Sequence, residues 1–239
     1  RELGVEHKLM FDIGCCHGAS LGIFLENGFD VIAFEPNPDN YQYLVDKYRS
    51  NPNKAKLKLV NAGVGNEQTI LPFMISKSSY GRHSLFGCGE GDLKETINVE
   101  VLRMDSYCRN SAITKIAYAK VDVEGFEQEV LEGFGNMLNN ISVLQLEFDN
   151  TKRFRNLETL IDRIDTIFNR IYISQWIIAE EGYGGKHKWV SLIRHNHGQS
   201  YSELAASWGN IVAINSSVDS SSVSDAVLCE IFDKRLEFR

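Results

Sequence analysis

Phe11-Asp12-Ile13-Gly14-Cys15-Cys16-His17-Gly18 is the stretch on which the reading of this chain turns. Lys8 to Ile13 reads as a buried strand that stops at Gly14, and after Gly18 the residues Leu21, Phe24 and Leu25 share one helical face until Asn27-Gly28 ends the helix. Glycine at a strand-to-helix turn lets backbone amides approach a ligand, and the helix start supplies a positive end. A dinucleotide-binding turn needs G-x-G-x-x-G, because its middle glycine lets a pyrophosphate sit against the backbone. Here that position is Cys16. The turn better suits a nucleoside ligand without pyrophosphate, its amino-acid tail near the turn and its ribose on Glu35, which ends the next strand, Asp30 to Phe34. An ionised carboxylate there can accept hydrogen bonds from both ribose hydroxyls, and Asp12 can meet an ammonium directly or through water. S-adenosylmethionine is such a ligand. The competing reading makes Asp12 a turn cap and Glu35 a surface carboxylate.

Outward from this stretch, strands alternate with helices through the first 150 residues, the signature of βαβ units. Pro38 opens a helix with Tyr41, Leu44, Val45 and Tyr48 at helical spacing, Lys56 to Val60 is a third strand, and Ile116 to Val123 a fourth. The helix after it turns Phe126, Val130, Leu131 and Phe134 inward, and Ile141 to Phe148 is a fifth strand. Between Thr69 and Arg103, the strand-like runs Ile70 to Ile75 and Ile97 to Leu102 flank a polar segment with Gly81, Gly87, Gly89 and Gly91, so residues 76–92 read as a lid over the acceptor. Leu157, Leu160, Ile161, Ile164 and Phe168 mark an amphipathic helix leading to the strand Ile171 to Ile178. Of Lys188 to Ile193 and Ile211 to Ile214, one completes the sheet, and the latter is favoured. Residues 216–239 form a C-terminal extension, with a closing helix over Asp225 to Phe238. The 239 residues read as a single domain with a cofactor-binding core over 8–150.

The net charge of -7 argues against adhesion to nucleic acid or anionic lipid and favours a small-molecule partner. No run approaches the roughly 20 apolar residues that cross a bilayer. Five cysteines, with no C-x-x-C spacing, suit neither a disulfide framework nor zinc, and a reducing, cytoplasmic setting is the simplest reading.

Three segments taken in order, Phe11 to Gly18, Ala33-Phe34-Glu35-Pro36-Asn37-Pro38, and Val121-Asp122-Val123-Glu124-Gly125-Phe126-Glu127, resemble the FkbM family of class I S-adenosylmethionine-dependent methyltransferases. Lesser matches are Asn61-Ala62-Gly63-Val64-Gly65, Ser84-Leu85, Leu102 to Tyr107 around Asp105, and Leu146-Glu147, so the resemblance spans roughly residues 8 to 150. It implies a Rossmann-like α/β sandwich, a mostly parallel seven-stranded sheet with helices on both faces. The cofactor would lie across the ends of the first three strands. It further implies that Asp12, Gly14, Cys15, Cys16, His17 and Gly18 line the methionine end, that Glu35 holds the ribose, that Pro36 and Asn37 flank the adenine, and that Asn61, Gly63 and Asp122 complete the cofactor site. Gly63 stands where an Ala is usual, and Cys15-Cys16 replaces the small and Asn residues common in that turn.

Asp122 and Glu124 end the fourth strand on one side of it, so one can orient an acceptor while the other takes a proton. The alternative for Glu124-Gly125 is a cap at the helix start. His83, beside Ser84 with Tyr80 and Arg82 nearby, is a loop-borne candidate base, whereas His17 reads as a spacer and His187, His195 and His197 as surface residues. Tyr183 reads as a rim or turn residue. Glu147 or Asp149 with Asp122 would ligate a divalent cation if one is used, but no second ligand pair accompanies Asp122, and the expectation is no metal. The resulting expectation is O-methylation of a small hydroxylated acceptor, with N-methylation or a non-catalytic nucleoside-binding protein as alternatives. A nicotinamide oxidoreductase is disfavoured by Cys16 and by the lack of a Tyr-x-x-x-Lys pair.

Overall fold

The structure, a computed structural model, describes residues 8–78, 83–87, 91–150, 156–178, 187–196, 199, 201, 204, 207–216 and 218. Chain order is β1 (Leu9–Ile13), α1 (Leu21–Glu26), β2 (Asp30–Phe34), α2 (Pro38–Lys47), β3 (Leu57–Val60), β4 (Gly63–Val64), β5 (Thr69–Ser76), β6 (Leu93–Leu102), α3 (Met104–Asn110), β7 (Ile116–Val121), α4 (Glu127–Phe134), β8 (Ile141–Asp149), α5 (Leu157–Ile164), β9 (Arg170–Ile178), β10 (His187–Arg194) and β11 (Trp208–Ile214). Two compact units meet in sequence between Ile141 and Ser142. The division falls short of residue 150 because β8 pairs antiparallel with β11 from Val143 to Asp149.

In the first unit the strands run in the order β7-β1-β2-β3 and every pair is parallel. Side chains alternate across such a layer, so each strand needs cover on both faces. On one face Met10, Val31 and Ala33 pack with Leu21 and Leu25 of α1 and Leu44 and Tyr48 of α2. On the other, Phe11 and Phe34 meet edge to face at 5.6 Å, and Tyr107 of α3 closes on them at 6.2 and 5.2 Å. Val130, Leu131 and Phe134 of α4 are fully buried, as their spacing implies. A smaller sheet, β4-β6-β5, carries its own core of Phe73, Ile75, Val99 and Val101. The helix α3 and the two-residue β4 are absent from the sequence reading.

In the second unit the order is β10-β9-β11-β8, with antiparallel pairs throughout. Both of the last two strand candidates therefore belong to the sheet, where the sequence reading expects only one. The segment containing Ile211 to Ile214 lies between β8 and β9, and the one containing Lys188 to Ile193 pairs with the outer side of β9. Leu157, Leu160, Ile161 and Ile164 bury the inner stripe of α5, each contributing roughly 1.5–3 kcal/mol. Trp176 and Trp208 stack across the β9–β11 pair at 5.9 Å. His195, read from sequence as a surface residue, is instead only 7% exposed at its side chain, bonded through Nε2 to Asp165 at 3.0 Å and through Nδ1 to the Tyr201 hydroxyl. His197, Tyr183 and the expected closing helix lie outside the described residues. Among those described, no helix is long and apolar enough to cross a membrane.

Candidate active site

A cavity opens at the carboxyl ends of β1, β2 and β7, where open α/β sheets place ligands. Its wall joins Ile13, Gly14 and Cys16 with Glu35, Pro36 and Asn40, the segment Ala62 to Val64, then Phe73, His83, Leu85 and the turn Asp122 to Glu124. The strand ends are tied together by backbone bonds: Gly14 N–H to the Phe34 carbonyl at 3.0 Å, Glu35 N–H to Val60 at 3.0 Å, and Asp122 N–H to Ile13 at 3.0 Å. Gly14 has φ +80°, and a Cβ there would lie 1.9 Å from the Asp122 carbonyl oxygen. No other residue fits this crossing of the two turns.

Glu35 is the centre of one end of the cavity. Although buried to 4% exposure, its carboxylate accepts from the Cys16 N–H at 2.8 Å through Oε2 and from the Asn37 N–H at 3.0 Å through Oε1. Burial pushes its pKa up to about 7, against the lowering effect of those two amides and of the Asn40 side chain. A carboxylate offers about four acceptor sites, so capacity remains on both oxygens for the two hydroxyls of a ribose. Cys16 holds the turn in a left-handed conformation, φ +48°, which a non-glycine residue adopts at some cost in energy. Its thiol pKa is pushed up to about 11, chiefly by burial and then by Glu35, so it is a poor nucleophile.

Several residues implied by the resemblance are not on the cavity wall. Cys15 faces the hydrophobic core. His17 packs at a tilt against Tyr43 with ring centroids 4.5 Å apart and pairs through Nε2 with Asn40 Oδ1 at 3.1 Å. Gly18 closes the turn with its N–H on the Cys15 carbonyl at 2.7 Å. Asn37 caps α2 by accepting the Asp39 N–H at 2.9 Å, and Asn61 donates to the Glu35 and Pro36 carbonyls at 2.8 and 3.2 Å. Short polar side chains at strand ends are drawn to nearby backbone groups, and here they hold Glu35 and Pro36 in place. Asp12 lies beneath, 1% exposed, with Lys120 Nζ 3.9 Å away and its pKa raised by burial. Neither Asp12 oxygen finds a well-formed hydrogen bond among the described residues. Buried acceptors next to the turn and spare capacity on Glu35 suit a ligand bringing an ammonium and a vicinal diol, as S-adenosylmethionine does.

At the other end, Asp122 is bonded to Lys120 at 2.8 Å, and Glu124 sits at φ +56°. That turn is clamped twice. The buried Glu127 accepts the Val123 and Gly125 N–H groups at 3.2 and 3.1 Å, and the Ser84 hydroxyl donates to the Glu124 carbonyl at 2.8 Å. Burial pushes Glu127 up to about 7. The helix thus begins at Glu127, past the Glu124-Gly125 pair that the capping alternative assigned to its start. Of the lid segment, Ser84 is bridged to Met74, and Asp92 accepts from the Ser76 hydroxyl at 2.6 Å and the Ser78 N–H at 2.9 Å. Its described parts are thus stitched to β5, while Tyr80, Gly81, Arg82 and Gly89 lie outside the described residues. His83 reaches the wall, but its Nδ1 accepts the Ser76 N–H at 3.0 Å, which conflicts with the role of base in the neutral ring. Glu147 and Asp149 belong to the other unit. Sequence reading passed over Asn40, Lys120 and Glu127 as site residues. The K-x-D alternation on β7 and the acid opening α4 carried the last two signals, whereas Asn40 left none.

A methyltransferase FkbM domain matches residues 12–183. The hexuronic acid methyltransferase AglP of Haloferax volcanii is 26% identical over 59% of this chain, which spans 56% of that relative's length. Among solved structures, methyltransferase FkbM from Methylobacillus flagellatus KT is 20% identical with a TM-score of 0.49, covering 70% of this chain and 40% of that one. A precorrin-6y C5,15-methyltransferase from Geobacter metallireducens GS-15 is 13% identical with a TM-score of 0.45, covering 90% and 83%. With a family match over most of its length, this chain belongs to the FkbM methyltransferase family.

Proposed function

We propose that this protein transfers the methyl group of S-adenosylmethionine to a hydroxyl oxygen of a small, hydroxyl-rich acceptor such as a sugar. The observation that carries the reading is the single wall on which Glu35, with acceptor capacity for a diol, shares a cavity with Asp122 and Glu124. The cofactor, when bound, supplies an electrophilic methyl group on a sulfonium. Glu35 would hold its ribose, the Gly14 to Cys16 turn its methionine end, and Pro36, Ala62 and Val64 its adenine.

For the acceptor, Asp122 is fixed in direction by Lys120 and is suited to orient a hydroxyl, while Glu124 takes its proton. Methyl transfer needs sulfur, carbon and oxygen in line, so the rigid backing of the 122–125 turn by Glu127 and Ser84 supports the reaction through positioning. Phe73 and Leu85 present apolar surface that displaces water from the hydroxyl. The hexuronic acid named for the Haloferax volcanii relative is a sugar acid, and the net charge of -7 also favours a small acceptor over a polyanion.

Calorimetry with S-adenosylmethionine, S-adenosylhomocysteine and NAD, followed by transfer of labelled methyl to a panel of sugars and amines, tests the reading. Binding of the first two without NAD, and label on oxygen, is the expected result. NAD binding alone, or label on nitrogen only, overturns it.

A further inference from the structure

The acceptor end of the cavity is lined by Phe73, His83, Leu85, Asp122, Val123 and Glu124. Their side chains are unevenly equipped for hydrogen bonding. Ionised carboxylates only accept, and Phe, Leu and Val do neither. A sugar-like acceptor has hydroxyls to give to Asp122 and Glu124, but it also carries oxygens whose lone pairs need a donor once water is displaced. His83 is the one side chain in that group able to provide one.

Its tautomer follows from its surroundings. The Ser76 N–H points at Nδ1 at 3.0 Å, so Nδ1 uses its lone pair and carries no proton in that bond. In a neutral ring the proton is then on Nε2, which is a donor. Phe73 stands edge-on to the ring at 6.3 Å and holds its orientation, and β5 carries both Phe73 and Ser76. No hydrogen bond to Nε2 is found among the described residues.

We propose that His83 is the specificity-determining donor of the acceptor site, giving its Nε2–H to a hydrogen-free oxygen of the sugar, a carboxylate, carbonyl or ether, and that it takes no proton in the reaction. Burial and the Lys94 ammonium lower the pKa of His83, while the Asp92 carboxylate opposes them, which keeps the ring neutral near pH 7. The bond to Ser76 anchors the donor to a strand rather than to the loop alone. The proposal rests on the methyltransferase reading for the placement of the acceptor, but the tautomer does not depend on it.

The test uses the whole protein with ¹⁵N-labelled histidine. Long-range ¹H–¹⁵N spectra are expected to show His83 protonated at Nε2 alone at pH 7, and saturation with S-adenosylhomocysteine followed by methyl β-D-glucuronide is expected to shift that resonance. In the same titration His83→Leu should bind the sugar at least about tenfold more weakly, while His83→Gln, whose amide keeps a donor near Nε2, should recover most of the affinity. Cofactor affinity should stay within about threefold in both variants. A proton on Nδ1, no response of the resonance to the sugar, or equal losses in the Gln and Leu variants overturns the proposal. Failure of the wild-type protein to bind S-adenosylhomocysteine is a separate result, which overturns the cofactor reading and leaves the tautomer measurable.

Discussion

Lowering the pH should weaken cofactor binding through protonation of Glu35. In the free site this carboxyl titrates at about 7, because burial outweighs the two backbone N–H bonds and the Asn40 amide that favour its ion. A protonated Glu35 keeps one oxygen busy as a donor and cannot take both ribose hydroxyls. Two hydrogen bonds to a charged group, each worth at least about 1.5 kcal/mol, pull the pKa in the complex down by at least about two units, to about 5 or below. With those two values, linkage gives an apparent Kd about fivefold higher at pH 6 than at pH 7 and about twenty-fivefold higher at pH 5, and binding at pH 6 releases about 0.8 proton from Glu35. Between pH 5 and 7 the cofactor's own ammonium stays protonated, so it adds no slope. Calorimetry in two buffers of different ionisation enthalpy reads affinity and proton release together. Glu35→Gln should bind about 1–3 kcal/mol more weakly at pH 8 and show a flat profile. A flat profile in the wild type, or the same slope in Glu35→Gln, refutes the ribose assignment.

Glu127 also titrates near 7 in the folded chain, against about 4.5 for an ordinary glutamate. The fold therefore holds a proton that the unfolded chain releases, and stability falls as pH rises from about 4.5 through 7. Glu127→Gln, which keeps an acceptor for Val123 and Gly125, should match the wild type at pH 4.5 and exceed it at pH 8 by up to about 3 kcal/mol, as urea melts at the two pH values will show. Gly14→Ala must relieve a contact of 1.9 Å to the Asp122 carbonyl at φ +80°, and should cost at least about 2 kcal/mol in the same melts. Turnover should survive exhaustive chelation yet fall at least about a hundredfold in Asp122→Asn or Glu124→Gln with little change in cofactor affinity, and loss of turnover with EDTA that Mg²⁺ restores would reverse the metal-independent assignment.

Periodicity and glycine punctuation made the first unit legible. The strand at Phe11, the turn at Gly14 and the acid at Glu35 each announce themselves, because parallel strands are continuous apolar runs and a ligand turn needs a small residue. What periodicity cannot carry is which polar side chain looks inward. Asn37 and Asn61 belong to the family pattern, but the structure spends their side chains on backbone groups, and Asn40, one helical turn along from Asn37, takes the place on the wall. His195 was read as exposed because its partners, Asp165 and Tyr201, come from other segments of the second unit. The two last strands were ambiguous for a similar reason, since both pair with β9 and an apolar run carries no information about its neighbour.

The stacked pair Trp176 and Trp208 has a spectroscopic consequence. The chain has three tryptophans, and the third, Trp189, also lies beyond Ser142. Indole fluorescence is therefore blind to the first unit, whose emission comes from tyrosines such as Tyr48, Tyr107 and Tyr118. Excitation at the red edge of the absorption band follows the melting of one unit, and amide circular dichroism follows both. A mismatch between the two curves would measure how independently the halves unfold, and a tryptophan placed on the exposed face of α1 at Ile23 would give the silent half its own signal.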